Sequence, residues 1–366
     1  MTETNQKELL AVLADKLQQN FTPKHLMVGF DGFVDEIIHI VDQRKNPDEY
    51  ERIKTIGEYA ERIGRAAGLS ANIEMVPVQV KLGGNGPIMA NGLIAQDFKV
   101  SYIGSLGKTK IHDVFEDFAS KCEKVISVTD PAHTDALEFM DGKLMMGKMN
   151  KLPEVNWNSL MEKITRDELK QMVSKSGLIT FNNWTMLSEM NTIIEGMLEI
   201  LSELDQKPGV FVDLADPQKR TDDDIKGVLE LIRKLGEQTQ MILSMNKNES
   251  FIVAGLLNIE EEDVVERAQK IREALNISHV VIHPLHGAAV ATANEACWVT
   301  GPYTKTPMLT TGAGDNFNAG FCNGWLKGLS PEECIATGVF TSGYYVRNCY
   351  SPNREELIGF IQSYCQ

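Results

Sequence analysis

Residues 310–330, TTGAGDNFNAGFCNGWLKGLS, combine a backbone and a side chain suited to chemistry. Phe317, Phe321, Trp325 and Leu326 recur at helical spacing, so a helix is expected to begin near Ala313. Gly312 and Gly314 permit conformations that aim successive N–H groups at one point and let a ligand approach closely. Those amides, together with the helix dipole, stabilise an anionic oxygen. Asp315 falls in the first turn, facing the same point. A carboxylate aimed into an anion-binding pocket makes sense if it takes a proton there. Phosphoryl transfer to a hydroxyl needs this pairing, with amides for the migrating group and a base for the attacking hydroxyl. The competing reading is an Asp that merely stabilises a helix N-terminus. On the four residues GAGD alone, that reading stays ahead.

Elements able to hold such a site are legible along the chain. Short β-branched runs alternate with longer helical periods, which indicates an α/β fold with a largely parallel sheet. Strands are expected at Leu26–Phe30, Val100–Ile103, Leu178–Phe181, Val210–Leu214, Met241–Ser244 and Val280–His283. Helices are expected over Met186–Leu204, Asp223–Leu235 and Glu262–Leu275. Two regions break the alternation. Residues 72–84 alternate apolar and polar, as in a sheet with one wet face. Residues 135–150 read as a hairpin turning at Asp141-Gly142. With Phe33–Val41 these segments would form a small separate sheet whose apolar face needs covering. The whole chain, 1–366, therefore reads as one α/β domain carrying a small lid from about 32–41, 72–82 and 135–150.

Composition narrows the function classes. The net charge of −15 argues against nucleic acid or an anionic membrane as partner. A helix terminus can still bind phosphate within an acidic protein. No run approaches 18 apolar residues, so no membrane span is expected. The first 17 residues read as an amphipathic helix without the features of a signal peptide, which points to the cytoplasm. Six cysteines are scattered without CxxC spacing and read as buried or idle thiols.

GAGDNFNAGFCNGWLKG resembles the C-terminal signature of the ribokinase, or PfkB, family of carbohydrate kinases. The resemblance implies a ribokinase-like doubly wound fold, with Asp315 as base and Gly312, Ala313 and Gly314 as the anion hole. LGGNGPIMANGLIAQDFKVSYIGSLG (82–107) resembles the N-terminal signature, making Gly83, Gly84 and Asn85 substrate-site candidates; the alternative is a plain Gly-rich strand-helix turn. Ile88 stands where the family usually has Asn, and Asn85 is the candidate substitute. VGFDGFVDEI (28–37) resembles the first strand, which leads to a sugar-gripping Asp. Asp35 fits its spacing from Phe30 better, and Asp31 remains open. A carboxylate can accept two hydroxyl hydrogen bonds, which suits a polyol. MNKNES (245–250) matches the family's Asn-x-x-Glu pattern as Asn246 and Glu249, implying a metal–phosphate role through water on magnesium. The same spacing is a helix capping box.

Departures from the family pattern are equally specific. Leu309-Thr310 replaces the usual Asp-Thr, which argues against a monovalent-cation site. VVIHPLHGAAV (280–290) replaces the usual turn near the nucleotide, leaving His283, His286 and Gly287 as candidate contacts. Asn182, Asn183 and Asp213 stand at C-terminal ends of expected parallel strands, where ligands bind, although turn chemistry explains them equally well.

The leading reading is an ATP- and magnesium-dependent kinase acting on a sugar hydroxyl, with a homodimer through the lid sheet. Alternatives are a nucleoside kinase of the same fold and a non-catalytic sugar- or nucleotide-sensing relative. A sensor would be expected to lose the base or the anion hole, and both are present. A Rossmann dehydrogenase is disfavoured because no G-x-G-x-x-G follows the first strand.

Overall fold

A computed structural model describes residues 3–365. In chain order its strands are β1 (His25–Gly29), β2 (Phe33–Arg44), β3 (Tyr50–Arg52), β4 (Met75–Gly83), β5 (Lys99–Gly104), β6 (Lys124–Ser127), β7 (Ala132–Glu138), β8 (Lys143–Lys148), β9 (Ser176–Phe181), β10 (Gly209–Asp213), β11 (Met241–Met245), β12 (His279–Ile282), β13 (Gly287–Ala291) and β14 (Ala296–Thr300). Nine form one sheet in the order β14-β13-β12-β11-β10-β9-β1-β5-β6. All pairs from β6 through β12 are parallel, and the β13–β14 hairpin continues the edge antiparallel.

Both faces of this sheet are buried, because alternate residues of each strand supply two separate cores. Met27, Ile179, Val210, Leu243 and Val280 face one, packed by the Met190–Ser202, Asp222–Gln238 and Val264–Leu275 helices. Leu26, Leu178, Phe211, Ile242 and Val281 face the other, against the Asn85–Ala95, Ala313–Leu326 and Pro331–Asn348 helices. The sheet is the doubly wound, mostly parallel one expected. The order reverses between β1 and β9, and a crevice at such a switch point is where open α/β sheets bind ligands.

A second, five-stranded sheet has the order β3-β2-β7-β8, with β4 paired to β2. The hairpin turns where expected, the Phe139 N–H donating to the Gly142 carbonyl at 2.9 Å. One feature was not anticipated. The Ile56–Arg65 helix covers part of the outer face, its Ile56 and Tyr59 packing on Ile38, Ile40, Ile53, Leu137 and Phe139. The β13–β14 hairpin was also missed, since Gly-Ala-Ala gives no alternation to read. Among the described residues no helix is long and apolar enough to cross a membrane.

Candidate active site

The Ala313–Leu326 helix is anchored before its first turn faces any ligand. Its N-cap, Gly312, has φ 90°, a conformation that glycine adopts without a Cβ penalty. A Cβ there would come within 2.8 Å of the Tyr345 hydroxyl and 3.2 Å of Ile88. Tyr345 meanwhile donates to the Thr311 carbonyl at 2.9 Å, fixing the approach to the glycine. Further along, a Cβ at Gly92 would sit 2.7 Å from the Ala319 methyl, and one at Gly338 the same distance from the Phe317 ring. Backbones packed this closely leave the helix little freedom to slide.

Among the described residues, two of the cavities that reach this turn are lined by the helix N-terminus itself. A cleft of about 390 Å³ lies between the two sheets and is lined by Asp35, Gly84, Asn85, Asn183, Gly312 and Asp315, among others. Behind it, a pocket of about 570 Å³ is lined by Asn246, His283, Gly287, Ala313, Gly314 and Phe317, among others. The turn that caps the helix therefore faces both spaces. Asp315 is on the cleft side, with its Oδ1 buried and without a hydrogen-bond partner.

The sequence candidates divide between these spaces and the supporting wall. Asp35, on β2, is buried and reaches the cleft beside Thr134. Asp31 lines neither cavity. Its carboxylate accepts from the Asn85 N–H at 2.9 Å, the Gly86 N–H at 2.8 Å and Asn183 Nδ2 at 2.7 Å, so it holds the start of the Asn85–Ala95 helix. Gly83 lies against the Asp35 carboxyl, leaving Gly84 and Asn85 to face the cleft. Asn182 also lines neither cavity, as its amide contacts Met89 Sδ and the Thr180 hydroxyl. Its neighbour Asn183 lines the cleft instead, with φ 59° and an unpartnered buried Oδ1.

Asn246 and Glu249 do form the capping box that their spacing allowed. Asn246 Oδ1 accepts from the Glu249 N–H, and Glu249 Oε2 accepts from the Asn246 N–H at 2.7 Å. Glu249 does more, because its Oε1 accepts from the Asp216 N–H at 2.8 Å. Asp213 Oδ1 likewise accepts from the Ala215 N–H at 2.9 Å. Ala215 and Asp216 are both left-handed, at φ 55° and 62°, a conformation costing roughly 1–2 kcal/mol per non-glycine residue. Two buried carboxylates thus hold a strained pair in place. The pair delivers Lys219, at the end of a short turn, to the cleft. Neither Lys219 nor that loop's shape was foreseen; the sequence signal was limited to VFVDLADP ending a strand.

Acids dominate the electrostatics. Burial drives the Asp315 carboxyl well above the usual carboxylate range, and the charges of Asp213 and Asp31 add to it. Burial also raises Asp31, to about 6, against three hydrogen bonds that favour its ionised form. Asp213, Glu249 and Asp35 are raised for the same reason. His283 is pushed down to about 4 by burial and stacks on Phe317 at 4.6 Å. It presents a neutral ring to the second pocket at neutral pH.

Among the described residues no three acids, histidines or cysteines gather as a metal cage. Magnesium seldom needs one, since it keeps several waters and binds through one or two carboxylates and phosphate. The partly satisfied Glu249 carboxylate in the cleft wall fits that requirement.

A family model for prokaryotic ketohexokinase matches residues 2–364. The chain belongs to that family. It is thus a carbohydrate kinase of the ribokinase, or PfkB, type. The chain is 27% identical over 354 residues to the ketohexokinase of Haloferax volcanii, covering 96% of this chain and 94% of that one. Ribokinase from Thermotoga maritima superposes with a TM-score of 0.64 at 19% identity, over 93% of this chain and all of the other. Arabidopsis thaliana ribokinase complexed with ribose and ATP gives 0.62 at 16% identity, covering 93% and 99%. At those identities the structural neighbours speak to the fold.

Proposed function

We propose that this protein transfers the γ-phosphoryl group of ATP to a hydroxyl of a sugar, with a ketohexose the first substrate to test. The observation that carries the reading is the shared helix terminus. Gly312–Asp315 lies between a cleft lined by several carboxylates and amides and a more apolar pocket, and lines both. The sugar would occupy the cleft, gripped by Asp35, Asn85 and Asn183. The nucleotide would occupy the second pocket, against His283 and Gly287, with its phosphates reaching the Gly312–Gly314 amides and Asn246.

In this arrangement Asp315 accepts the proton of the attacking hydroxyl. The sugar oxygen forms its bond to the γ-phosphorus as the bond to the β–γ bridging oxygen breaks, and ADP leaves with that electron pair. Backbone amides at 312–314 stabilise charge on the migrating group without reorganising. Magnesium, when bound with the nucleotide, would neutralise phosphate charge, and Glu249 would hold it through water. A carboxyl raised by burial is, once ionised, a stronger base than an ordinary carboxylate, which suits a proton acceptor. Asp35 lies on the small sheet, which would act as a lid on the main body and exclude water when sugar binds. Two copies would join through the outer face of that lid.

The test is ADP release and sugar-phosphate formation by the purified protein with ATP and magnesium, across ketohexoses, aldoses, pentoses and nucleosides. Turnover confined to sugars is expected, and Asp315→Asn should lower it about 10²–10⁴-fold with nucleotide affinity retained. A correctly folded Asn variant with full turnover would end the base assignment.

A further inference from the structure

The cleft carries four carboxylates, on Asp35, Asp216, Glu249 and Asp315. Among the described residues, Lys219 is the only basic side chain that lines it. That imbalance sits where a phosphoryl group bearing several negative charges would arrive. Neutral amides at Gly312–Gly314 stabilise part of that charge. A mobile cation on the opposite wall would complete the enclosure in the transition state.

Lys219's position is specified by the loop after β10. Asp213 and Glu249 each accept an N–H from the left-handed pair Ala215–Asp216, and Pro217 starts the turn that ends at Lys219. The adjacent cation has the opposite assignment. Arg220 turns away from the cleft, its guanidinium 4.5 Å from the Trp184 ring centroid and bonded to Asp224 and the Thr185 carbonyl. Arg220 anchors the loop, and Lys219 is left to reach inward. Its ammonium rests 3.2 Å from Asp216 Oδ2, with the side chain about half exposed. A four-carbon stem held by one surface carboxylate can swing to a stronger anion at little cost.

We propose that Lys219 is a catalytic residue that leaves Asp216 to contact the transferring phosphoryl group, with Asp216 as its resting partner. This rests on the reading of the cleft as the site of phosphoryl transfer. As Asp315 takes the hydroxyl proton and the new P–O bond forms, charge spreads onto the equatorial oxygens, and Lys219 meets it there. Its contribution is therefore to the transition state and only weakly to ground-state binding of either substrate.

Lys219→Met and Lys219→Arg, alongside Asp315→Asn, test this on the full-length protein with its best sugar. Lys219→Met should lower kcat about 10²–10³-fold, the loss typical of one transition-state donor. The KM for sugar and the Kd for ATP should stay within about threefold, the pattern of an interaction made in the transition state. Calorimetric binding of ADP, magnesium and aluminium fluoride with sugar present should weaken by a comparable factor. The Arg variant should recover about tenfold or more of the lost turnover, since it keeps the charge. Turnover of Lys219→Met within threefold of the parent, or a rise in sugar KM alone, overturns the assignment while the Asp315 result stands. Full turnover in Asp315→Asn removes the reading of the cleft and Lys219's role with it.

Discussion

Asn318 Nδ2 donates to Asp213 Oδ2 at 2.8 Å, one helical turn beyond Asp315, and Asn318 Oδ1 accepts from the Ser244 hydroxyl. The candidate base is thereby tied through its own helix to the ends of β10 and β11. The same bond sets Asp213 below Asp315, where its charge raises that carboxyl further.

This relationship predicts a pH-dependent stability for the ligand-free protein. Burial raises Asp31 to about 6, and raises Asp213 and Asp315 as well. A raised carboxyl holds its proton in the folded state after the unfolded chain has released it. The associated stability is full below the ordinary value of 3.8 and declines as pH rises, through about 6 for Asp31 and onward for Asp213. The slope is up to about 1.4 kcal/mol per pH unit for each proton involved. In Asp213→Asn, Asn318 can flip its amide and donate to Ser244 instead, so the network survives. Thermal melts of that variant between pH 4 and 8 should show a visibly shallower decline than the parent. Parallel curves would remove Asp213 from the account.

Asp31 and Asp35 should separate cleanly. Asp31→Ala strips a partner from the Asn85 and Gly86 amides and from Asn183. It should cost about 1–3 kcal/mol of stability, the price of stranded buried donors. Asp35→Ala leaves that helix start intact and removes a carboxylate facing the cleft. Its expected mark is a sugar KM about 10–100-fold higher, from one or two charge-assisted hydrogen bonds, with the nucleotide's KM unchanged. The reverse pattern would move the sugar grip to Asp31.

Glycine should be required at one end of the proposed anion hole, Gly312–Gly314, and not at the other. Gly312→Ala meets both an unfavourable positive φ and the Tyr345 hydroxyl. It should lose about 1–2 kcal/mol and much of its turnover, as the following amides shift. At Gly314 the nearest atom to an added Cβ is His283 Cε1 at 3.5 Å, an ordinary contact. Within a helix, alanine there should preserve or raise the melting temperature. Equal losses in the two variants would show that strain at 312 does not shape the site.

What the sequence disclosed follows from how local each signal is. Gly312–Asp315 was legible because the turn, the helix start and the acid are consecutive, and their roles follow from residue type. The parallel strands were legible because burial on both faces leaves unbroken β-branched runs. Asn183 over Asn182 was not, because a single left-handed residue decides which neighbour faces the cleft. Lys219 was hidden for a related reason. Its position depends on left-handed Ala215 and Asp216, of which alanine gives no sign of that conformation, held by carboxylates from β10 and a later helix. The Ile56–Arg65 helix escaped notice although Thr55 and Glu58 form its capping box.

That helix narrows the apolar face of the small sheet that a second copy could cover. It covers the end around Ile38, Ile40 and Phe139. Met75, Val78, Val80 and Met146 remain 45–53% exposed. Three of these lie on β4, which among the described residues pairs with β2 alone, so one edge of that strand has no strand partner there. An edge strand carrying exposed valines is a liability in a monomer, and a symmetric second copy would cover both the edge and the side chains. Light scattering at micromolar concentration should therefore give twice the chain mass. Glutamates at both positions, Val78→Glu with Val80→Glu, should yield a monomer by placing charge in a dry contact. Neither residue lines the cleft, so a raised sugar KM in the variant would show that the contact also steadies Asp35 through β2. A monomeric parent, or a dimer indifferent to both glutamates, would leave this edge without a partner.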